Sequence, residues 1–267
     1  MRFSIICFVA CSLFAVGLAT EATEEHPDPH ITLRYFESRG RAEAVRILLE
    51  YLQVPYTDER YTSEQWRGGI KEEGTKSGMF AYGQLPALSY CHDGEKDSES
   101  CLHMTQSHTI MRFLDRWYGT YGPDEQRWLV DMLADGVEDF RSKYGKLVYS
   151  KDAQEKYADH FETEVPKWLG HFERMKSTHA EHTVFFTGDH PTHADLFLYT
   201  VLDLHTRLEP ECLKDYPQLE LFKQVVESIP SIEEYIKSGR RPKTPNGNSA
   251  YLDTPSNPAV EEEETDL

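Results

Sequence analysis

The spacing of apolar residues along the chain changes near residue 120. In the first part, residues 31–36 alternate apolar and polar side chains and predict a strand, whereas residues 42–52 have the spacing of a helix. Further strands and one helix are predicted at 54–60, 87–91, 102–105 and 107–117. Residues 62–79 are polar and rich in Gly and Lys, which predicts a loop. This β-α-β, then β-β-α order predicts a small α/β domain with a mixed sheet over residues 30–118.

After residues 119–123, which contain Gly and Pro, the pattern is almost entirely helical. Helices are predicted at 124–149, 153–176, 196–208, 219–228 and 231–238. Thr192 and Asp195 have the spacing of a capping box ahead of the third of these helices. We therefore expect an all-helical domain at 124–240 and an extended acidic tail at 241–267.

The start of the chain has a different composition. An almost wholly apolar run, residues 3–19, follows Arg2 and is short for a helix that spans a bilayer. Small residues precede two candidate cleavage sites, after Ala19 and after Ala22, so the pattern predicts a secretory signal peptide at 1–22. An uncleaved anchor and a wrong start codon are the alternatives. Secretion, or residence in the lumen of the secretory pathway, is the expected localisation.

The length of the chain indicates how many domains it forms, and its charge excludes some classes of partner. The 267 residues are enough for two domains. With 28 Lys and Arg against 46 Asp and Glu, the formal net charge is −18, part of which lies in the acidic end of the chain. This charge argues against nucleic acid or, once the signal is removed, an anionic membrane as a partner.

Two cysteines bracket a polar loop between predicted strands. Cys91 and Cys101 flank residues 92–100, which include a turn-forming Asp-Gly pair. Opposed residues on neighbouring antiparallel strands approach disulfide distance, so a disulfide is expected in an oxidising compartment. Two reduced thiols are the alternative. A metal site with His92 and His103 is disfavoured because the spacing matches no recognised pattern, and no metal is expected.

Three places along the first domain suggest the binding of a small peptide that carries sulfur. The Tyr35 hydroxyl, at the end of the first strand, can donate to an anion and favour a thiolate. Pro86 opens a strand, and a cis bond before it would turn the backbone of Leu85 towards an extended ligand. Gln106 and Ser107, where a strand gives way to a helix, can hold a carboxylate. Because the α/β domain has no Cys-x-x-C pair, the sulfur must come from the ligand, and these features together describe glutathione.

The order of these motifs resembles a cytosolic-type glutathione transferase, most closely the pi class, over residues 30–248. The motifs that carry the resemblance are Tyr35-Phe36, Arg39-Gly40-Arg41, Trp66, Tyr82-Gly83-Gln84-Leu85-Pro86, Gln106-Ser107, Val130-Asp131-Met132, Asp135-Gly136-Val137-Glu138-Asp139, Gly188-Asp189 with Asp195, and Pro245-Asn246-Gly247-Asn248. The resemblance implies an α/β thioredoxin-like N-terminal domain plus an all-α C-terminal domain. It also implies a homodimer with one glutathione site per subunit.

The resemblance also implies a role for individual residues. Tyr35 is similar to the catalytic tyrosine that stabilises the glutathione thiolate. The implied glutathione-binding residues are Arg41, Trp66, Lys71 or Lys76, Gln84, Leu85, a cis Pro86, Gln106, Ser107 and, from the other subunit, Asp139. Phe36 and Tyr149 would line the electrophile pocket. In the dimer, Tyr82 resembles an aromatic key that inserts against the neighbour's Met132, Leu133 and Gly136.

Some positions depart from the family pattern. The segment between Trp66 and Tyr82 is longer than in the family, so either Lys71 or Lys76 can be the binding lysine. Ser38 and Gly145 stand where the pocket for the electrophile is more often apolar, which leaves substrate preference open. The expected activity is conjugation of glutathione, as co-substrate and without another cofactor, to a small apolar electrophile. Glutathione-dependent isomerisation or peroxide reduction, and non-catalytic ligand binding by a secreted protein, are the alternatives.

Overall fold

The computed structural model describes residues 28–180, 182–247 and 249–252. The predicted signal peptide, residues 1–22, lies outside the described residues. The acidic end of the predicted tail, residues 253–267, lies outside them as well.

The first domain contains a four-stranded mixed sheet, as the sequence predicts. Its strands are β1 (His30–Phe36), β2 (Thr57–Tyr61), β3 (Ala87–Cys91) and β4 (Cys101–Thr105). The order in the sheet is β2-β1-β3-β4, in which β1 is parallel to β2 and antiparallel to β3. The four helices of this domain are α1 (Glu43–Tyr51), α2 (Ser63–Gln65), α3 (Lys71–Lys76) and α4 (Ser107–Trp117). This is the thioredoxin-like arrangement that was expected, with β3 and β4 forming a hairpin.

The prediction of a polar loop at 62–79 is wrong. A π-helical turn, Trp66–Ile70, joins α2 and α3 into a nearly continuous helical segment. The Thr62 hydroxyl accepts a hydrogen bond from the Gln65 N–H at 3.1 Å, and the Gln65 side chain accepts one from the Thr62 N–H at 2.8 Å. This capping box starts the helical segment in spite of its glycines and is the sequence signal that the loop prediction overlooked.

The second domain is helical throughout. Its helices are α5 (Arg127–Val148), α6 (Ala153–Asp159), α7 (Val165–His179), α8 (His193–Leu208), α9 (Pro217–Glu227) and α10 (Pro230–Lys237). The predicted capping box before α8 is confirmed. The Thr192 side chain accepts a hydrogen bond from a backbone N–H in the first turn of the helix, and the Asp195 side chain accepts one from the Thr192 N–H. Within the described residues, no helix is both long enough and apolar enough to cross a membrane.

A buried polar contact joins the two domains. Asp115, on α4, accepts hydrogen bonds from the backbone N–H of His193 at 3.0 Å and from its Nδ1 at 2.7 Å. The imidazole ring also stacks on Tyr121, with the two ring centroids 5.3 Å apart. Because Asp115 and His193 are fully buried, this contact fixes the start of α8 against the end of α4.

The hairpin loop folds back over the sheet. Cys91 and Cys101 are opposed in register and form the predicted disulfide. Within the loop that they close, Asp97 accepts a hydrogen bond from the buried side chain of Arg34 at 2.6 Å. Arg34 also donates to the Ser89 hydroxyl and pairs with Glu59 at 3.3 Å. The acidic loop therefore compensates the charge of an arginine that the sheet buries.

The segment 241–247 has no helix or strand and crosses from one domain to the other. The carbonyl groups of Thr244 and Pro245 accept hydrogen bonds from the N–H groups of Arg39 at 2.9 Å and Gly40 at 3.0 Å. The Asn246 side chain then donates to the Tyr144 hydroxyl at 2.8 Å on α5. The attachment of this segment to the turn after β1 is a tertiary contact that no local sequence pattern indicates.

Candidate functional site

Tyr35 occupies the end of β1 with its hydroxyl held in one orientation. The hydroxyl oxygen accepts a hydrogen bond from the backbone N–H of Arg41 at 3.0 Å. The proton of the hydroxyl is therefore left to donate elsewhere. Gly40 has a φ of +44°, and a Cβ at this position would stand 2.5 Å from the Tyr35 hydroxyl oxygen. Only glycine fits both the backbone conformation and this close approach.

The first of two clefts near Tyr35 has a volume of about 760 Å³. The predicted residues that line it are Phe36, Arg41, Trp66, Gln84, Leu85, Pro86, Gln106 and Ser107. The Leu85–Pro86 peptide bond is cis, as expected. In the described part of the chain, the backbone N–H and C=O of Leu85 make no hydrogen bond, which leaves them available to an extended ligand.

Gln106 and Ser107 form one end of this first cleft. Gln106 has a φ of +76°, a conformation that L residues adopt at a cost of about 1–3 kcal/mol, and it donates to the Gln84 side chain at 3.1 Å. Ser107 begins α4, so its hydroxyl lies beside helix N–H groups that have no intrahelical partner. Such a helix start binds carboxylates.

Trp66 and its aromatic neighbours form another wall of the first cleft. The Trp66 ring packs on Phe36, Tyr61 and Phe80, with centroid distances of 6.0, 6.3 and 5.1 Å. Trp66 is far from β1 in sequence, and the helical segment that contains α2 and α3 brings it to the wall of the first cleft. Its indole N–H can donate to a ligand in the cleft.

A carboxylate from the helical domain reaches the same cleft. Glu138, on α5, pairs with Arg41 at 2.9 Å and with His108 at 3.3 Å. Burial favours the neutral carboxyl, but the hydrogen bond from His108 and the guanidinium groups of Arg141 and Arg41 outweigh it and lower the pKa of Glu138 to about 2. Glu138 is therefore a fixed carboxylate that holds Arg41 at the cleft.

Sequence reasoning gave no role to Glu138 or to Arg141, although both lie in or beside the motif on α5. Arg141 follows Glu138 by one helical turn, where (i, i+3) charge pairing was a usable signal. Burial lowers the pKa of Arg141, and the charge of Arg41 adds to this effect. Arg41 pairs with Glu138, and the charge of Arg141 acts on the same carboxylate, so positive charge exceeds negative charge at this place, which favours an anion.

The two candidate lysines differ in position. Lys71 passes close to the cleft, since its Cε lies 3.1 Å from the point where a Cβ on Gly83 would stand. Lys76 instead pairs with Glu72 at 2.6 Å on the exposed side of α3. The structure therefore favours Lys71 over Lys76 as the residue that reaches a ligand beside Gln84.

The second cleft also has a volume of about 760 Å³ and shares Phe36 with the first. Its lining residues are Tyr35, Phe36, Glu37, Ser38, Tyr61, Thr62, Ser63, Arg67, Tyr149, Thr244, Gly247 and Ser249. Tyr149 accepts a hydrogen bond from the Gly247 N–H at 3.1 Å, and burial raises the pKa of its hydroxyl. The cleft holds the predicted Phe36 and Tyr149, and its walls combine aromatic rings with polar side chains such as Glu37 and Arg67. Gly145 is not part of its lining.

The predicted dimer residues lie apart from both clefts. Tyr82 is 70% exposed and Met132 is 44% exposed, and Gly136 is partly exposed on α5. Leu133 is only 1% exposed and packs in the chain's own core, so it offers almost no surface to a partner. Asp139 is exposed on α5 and does not line the cleft of its own chain.

Comparisons with known proteins point to one family. A family model described as glutathione S-transferase, C-terminal domain, matches residues 138–239. Glutathione S-transferase P 1 of Bufo bufo is 36% identical over 82% of this chain and 98% of that protein. Glutathione S-transferase P of Homo sapiens is 35% identical over the same shares. The solved structure of the Onchocerca volvulus pi-class glutathione S-transferase has a TM-score of 0.71 and 30% identity, and covers 82% of this chain and 99% of that one.

Proposed function

The chain belongs to the glutathione S-transferase family, and we propose that its Tyr35 hydroxyl holds bound glutathione as the thiolate. The activity is that of a glutathione transferase, which joins the sulfur of glutathione to an electrophile. The observation that carries the role of Tyr35 is its hydrogen bond from the Arg41 N–H, which leaves the hydroxyl proton for the sulfur.

The first cleft is the proposed glutathione site. Gln106 and Ser107 receive the γ-glutamyl carboxylate at the start of α4. The free backbone groups of Leu85 pair with the cysteinyl part, as in the addition of a strand. Trp66 and Lys71 bind the glycyl carboxylate together with Arg41, which Glu138 holds in place.

Catalysis then follows from position and charge. The thiolate lies between the two clefts, and its lone pair attacks an electrophilic carbon held in the second cleft. A bond forms between sulfur and carbon while the leaving group departs with its electron pair. Holding both reactants in contact and stabilising the anion lower the barrier without a nucleophile from the protein. Tyr149, whose hydroxyl stays protonated, can donate to the leaving group or to the electrophile.

The test of this role is the Tyr35→Phe variant. A hydrogen bond to a charged group contributes about 1.5–3 kcal/mol, so turnover of a generic electrophile should fall about 10- to 100-fold. The affinity for glutathione should stay within about twofold, because no other glutathione contact changes. The ultraviolet absorbance of the bound thiolate should shift towards that of the thiol. Tyr118→Phe, outside both clefts, is the matched control, and unchanged turnover in Tyr35→Phe would remove Tyr35 from the mechanism.

We also propose that two copies assemble through Tyr82. An exposed aromatic side chain of this size is a typical anchor for a partner pocket, and Met132 and Gly136 offer a receiving surface on α5. Asp139 of one copy would then reach the glutathione of the other. Sedimentation of Tyr82→Ser should show a weaker dimer, whereas Tyr251→Ser, also at an exposed tyrosine, should not.

We also propose that the protein is secreted. The disulfide between Cys91 and Cys101 supports an oxidising compartment, where such bonds persist. Mass spectrometry of protein collected from the medium of expressing cells should give a mature N-terminus after Ala19 or Ala22. Retention of the full leader inside the cell would contradict this proposal.

A further inference from the structure

A third cavity lies behind the turn that holds Tyr35 and has a volume of about 550 Å³. Five of its nine lining residues are cationic, namely Arg39, Arg207, Lys237, Arg241 and Lys243, and one, Asp203, is acidic. The whole chain has 46 acidic and 28 basic residues, so this ratio is the reverse of the overall composition. The cavity is therefore a local concentration of positive charge on an acidic protein.

The ion pairs inside this cavity leave part of the charge uncompensated. Arg241 pairs with Asp203 at 2.6 Å and with Glu43 at 2.7 Å, and Arg39 lies 3.6 Å from the same Asp203. These two carboxylates balance the two arginines. Lys243 makes no ion pair with any residue in the described ranges, and it adds a further positive charge.

Lys237 adds to this excess. Its partner is Glu233, one helical turn away at 2.5 Å, and both side chains are exposed. An exposed pair of this kind stabilises the protein very little, so Lys237 is free to pair with a stronger anion. Because Arg39 and Arg241 lie close together, burial and then the charge of Arg241 lower the pKa of Arg39. An anion in the cavity would relieve this repulsion.

We propose that this cavity, the basic cavity, binds a small organic anion that carries two or more linked phosphate groups. Guanidinium groups bind phosphate oxygens in pairs, and the ammonium groups at the mouth add point charges for a second phosphate. Its volume is within the range of sites for small molecules. Ile236 and Gly239 provide an uncharged part of the wall for the organic portion of the ligand.

The basic cavity is separate from the glutathione chemistry but shares one segment with it. Arg241 and Lys243 line the basic cavity, whereas Thr244 and Gly247 line the second cleft. A ligand in the basic cavity would thus contact the same segment that closes the site for the electrophile. Lys237 and Lys243 have no part in either cleft, so their substitution tests the basic cavity without disturbing the proposed catalytic site.

The experiment is calorimetric titration of the mature protein with inorganic tripolyphosphate. S-methylglutathione is kept at saturation so that the glutathione site is filled. The wild type should bind tripolyphosphate more tightly than monophosphate, and added salt should weaken the binding. The Lys237→Gln/Lys243→Gln variant should lose about tenfold in affinity, since each exposed charge contact is worth a few-fold in the binding constant.

The matched control is Lys151→Gln/Lys214→Gln, which removes the same charge from two exposed lysines outside the cavity. Its affinity should stay within about twofold of the wild type. Conjugation of a generic electrophile should be unchanged in both variants in the absence of tripolyphosphate, which separates failure of this proposal from failure of the transferase mechanism. Absence of binding in the wild type, or an equal loss in the control variant, would overturn the proposal.

Discussion

The two clefts beside Tyr35 have equal volumes of about 760 Å³ but are built in different ways. The first cleft, the proposed glutathione site and called the glutathione cleft below, is formed by backbone features, namely the cis bond before Pro86 and the start of α4 at Ser107. The second cleft, the proposed electrophile site and called the electrophile cleft below, is formed by side chains from β1, from α2 and its neighbours, from the end of α5 and from the segment 241–247. The residues that produce such backbone features are neighbours in the sequence and can be recognised as a short motif. Side chains that come together from distant segments leave no such motif.

This difference has a consequence for substitution. A change in the glutathione cleft should alter the affinity for glutathione whatever the electrophile is. A change in the electrophile cleft should alter the ranking of electrophiles and leave glutathione affinity in place. The two clefts meet at Phe36 and at the turn that supports Tyr35, where one change should affect both.

The largest effect is expected at that junction. In Gly40→Ala, the new Cβ would stand 2.5 Å from the Tyr35 hydroxyl oxygen, so the tyrosine must move away from the sulfur. Turnover should fall about 10- to 100-fold, the loss expected when a hydrogen bond to a charged atom is removed. Steady-state kinetics measures the loss. Gly170→Ala, where an added Cβ meets nothing within 4 Å, is the control. Turnover within twofold of the wild type would show that Gly40 does not position Tyr35.

The next effect concerns the glutathione cleft alone. Ser107→Ala removes the hydroxyl at the start of α4 and should raise the KM for glutathione about tenfold, because a hydrogen bond to a carboxylate is lost. The ratio of rates between two electrophiles should not change. Ser177→Ala, on the exposed side of α7, is the matched control. A changed electrophile ratio in Ser107→Ala would show that the two clefts are not independent.

A smaller effect is expected in the electrophile cleft. Arg67 lines this cleft and has no role in the proposed glutathione site. Arg67→Gln should reduce the preference for an electrophile with a carboxylate over its neutral analogue about fivefold, the upper value for a partly exposed ion pair. Competition between the two substrates measures this preference, with Arg174→Gln on α7 as the control. A shift in the KM for glutathione instead would place Arg67 in the other cleft.

The smallest effect separates the two lysines. Lys71→Gln should raise the KM for glutathione about two- to fivefold, since an exposed charge contact contributes at most about 1 kcal/mol. Lys76→Gln should have no effect because this lysine already pairs with Glu72 away from the cleft. A larger effect for Lys76 would make it the glutathione-binding lysine instead, and equal effects would show that neither lysine is preferred.

Much of the fold was predictable from periodicity and short motifs. The strands, the capping box before α8 and the Cys91–Cys101 pair all follow local rules of spacing, and all were confirmed. The loop prediction for 62–79 is wrong because glycines and polar residues favour a loop, whereas the capping box of Thr62 and Gln65 starts a helix there. Local propensity was therefore misjudged where a cap decided the outcome.

The parts of the site that sequence did not reveal depend on tertiary packing. Glu138 was visible within a motif, but its contact with Arg41 joins residues almost a hundred positions apart. The second cleft brings together the polar residues Glu37, Arg67 and Thr244, which share no local pattern in the sequence. The burial of Arg34 below the hairpin loop also depends on tertiary packing. The alternation of residues along a strand does not show which face of the sheet a loop will cover.

The course of the segment 241–247 also bears on synthesis. Domains fold as units during translation, beginning with the N-terminal one. The first domain contains most of the glutathione cleft, so this cleft can take shape while later residues are still being added. Thr244 and Gly247 belong to the last described residues to leave the ribosome, and the electrophile cleft stays open on one side until they arrive. Most of the first cleft is therefore synthesised before the segment that completes the second.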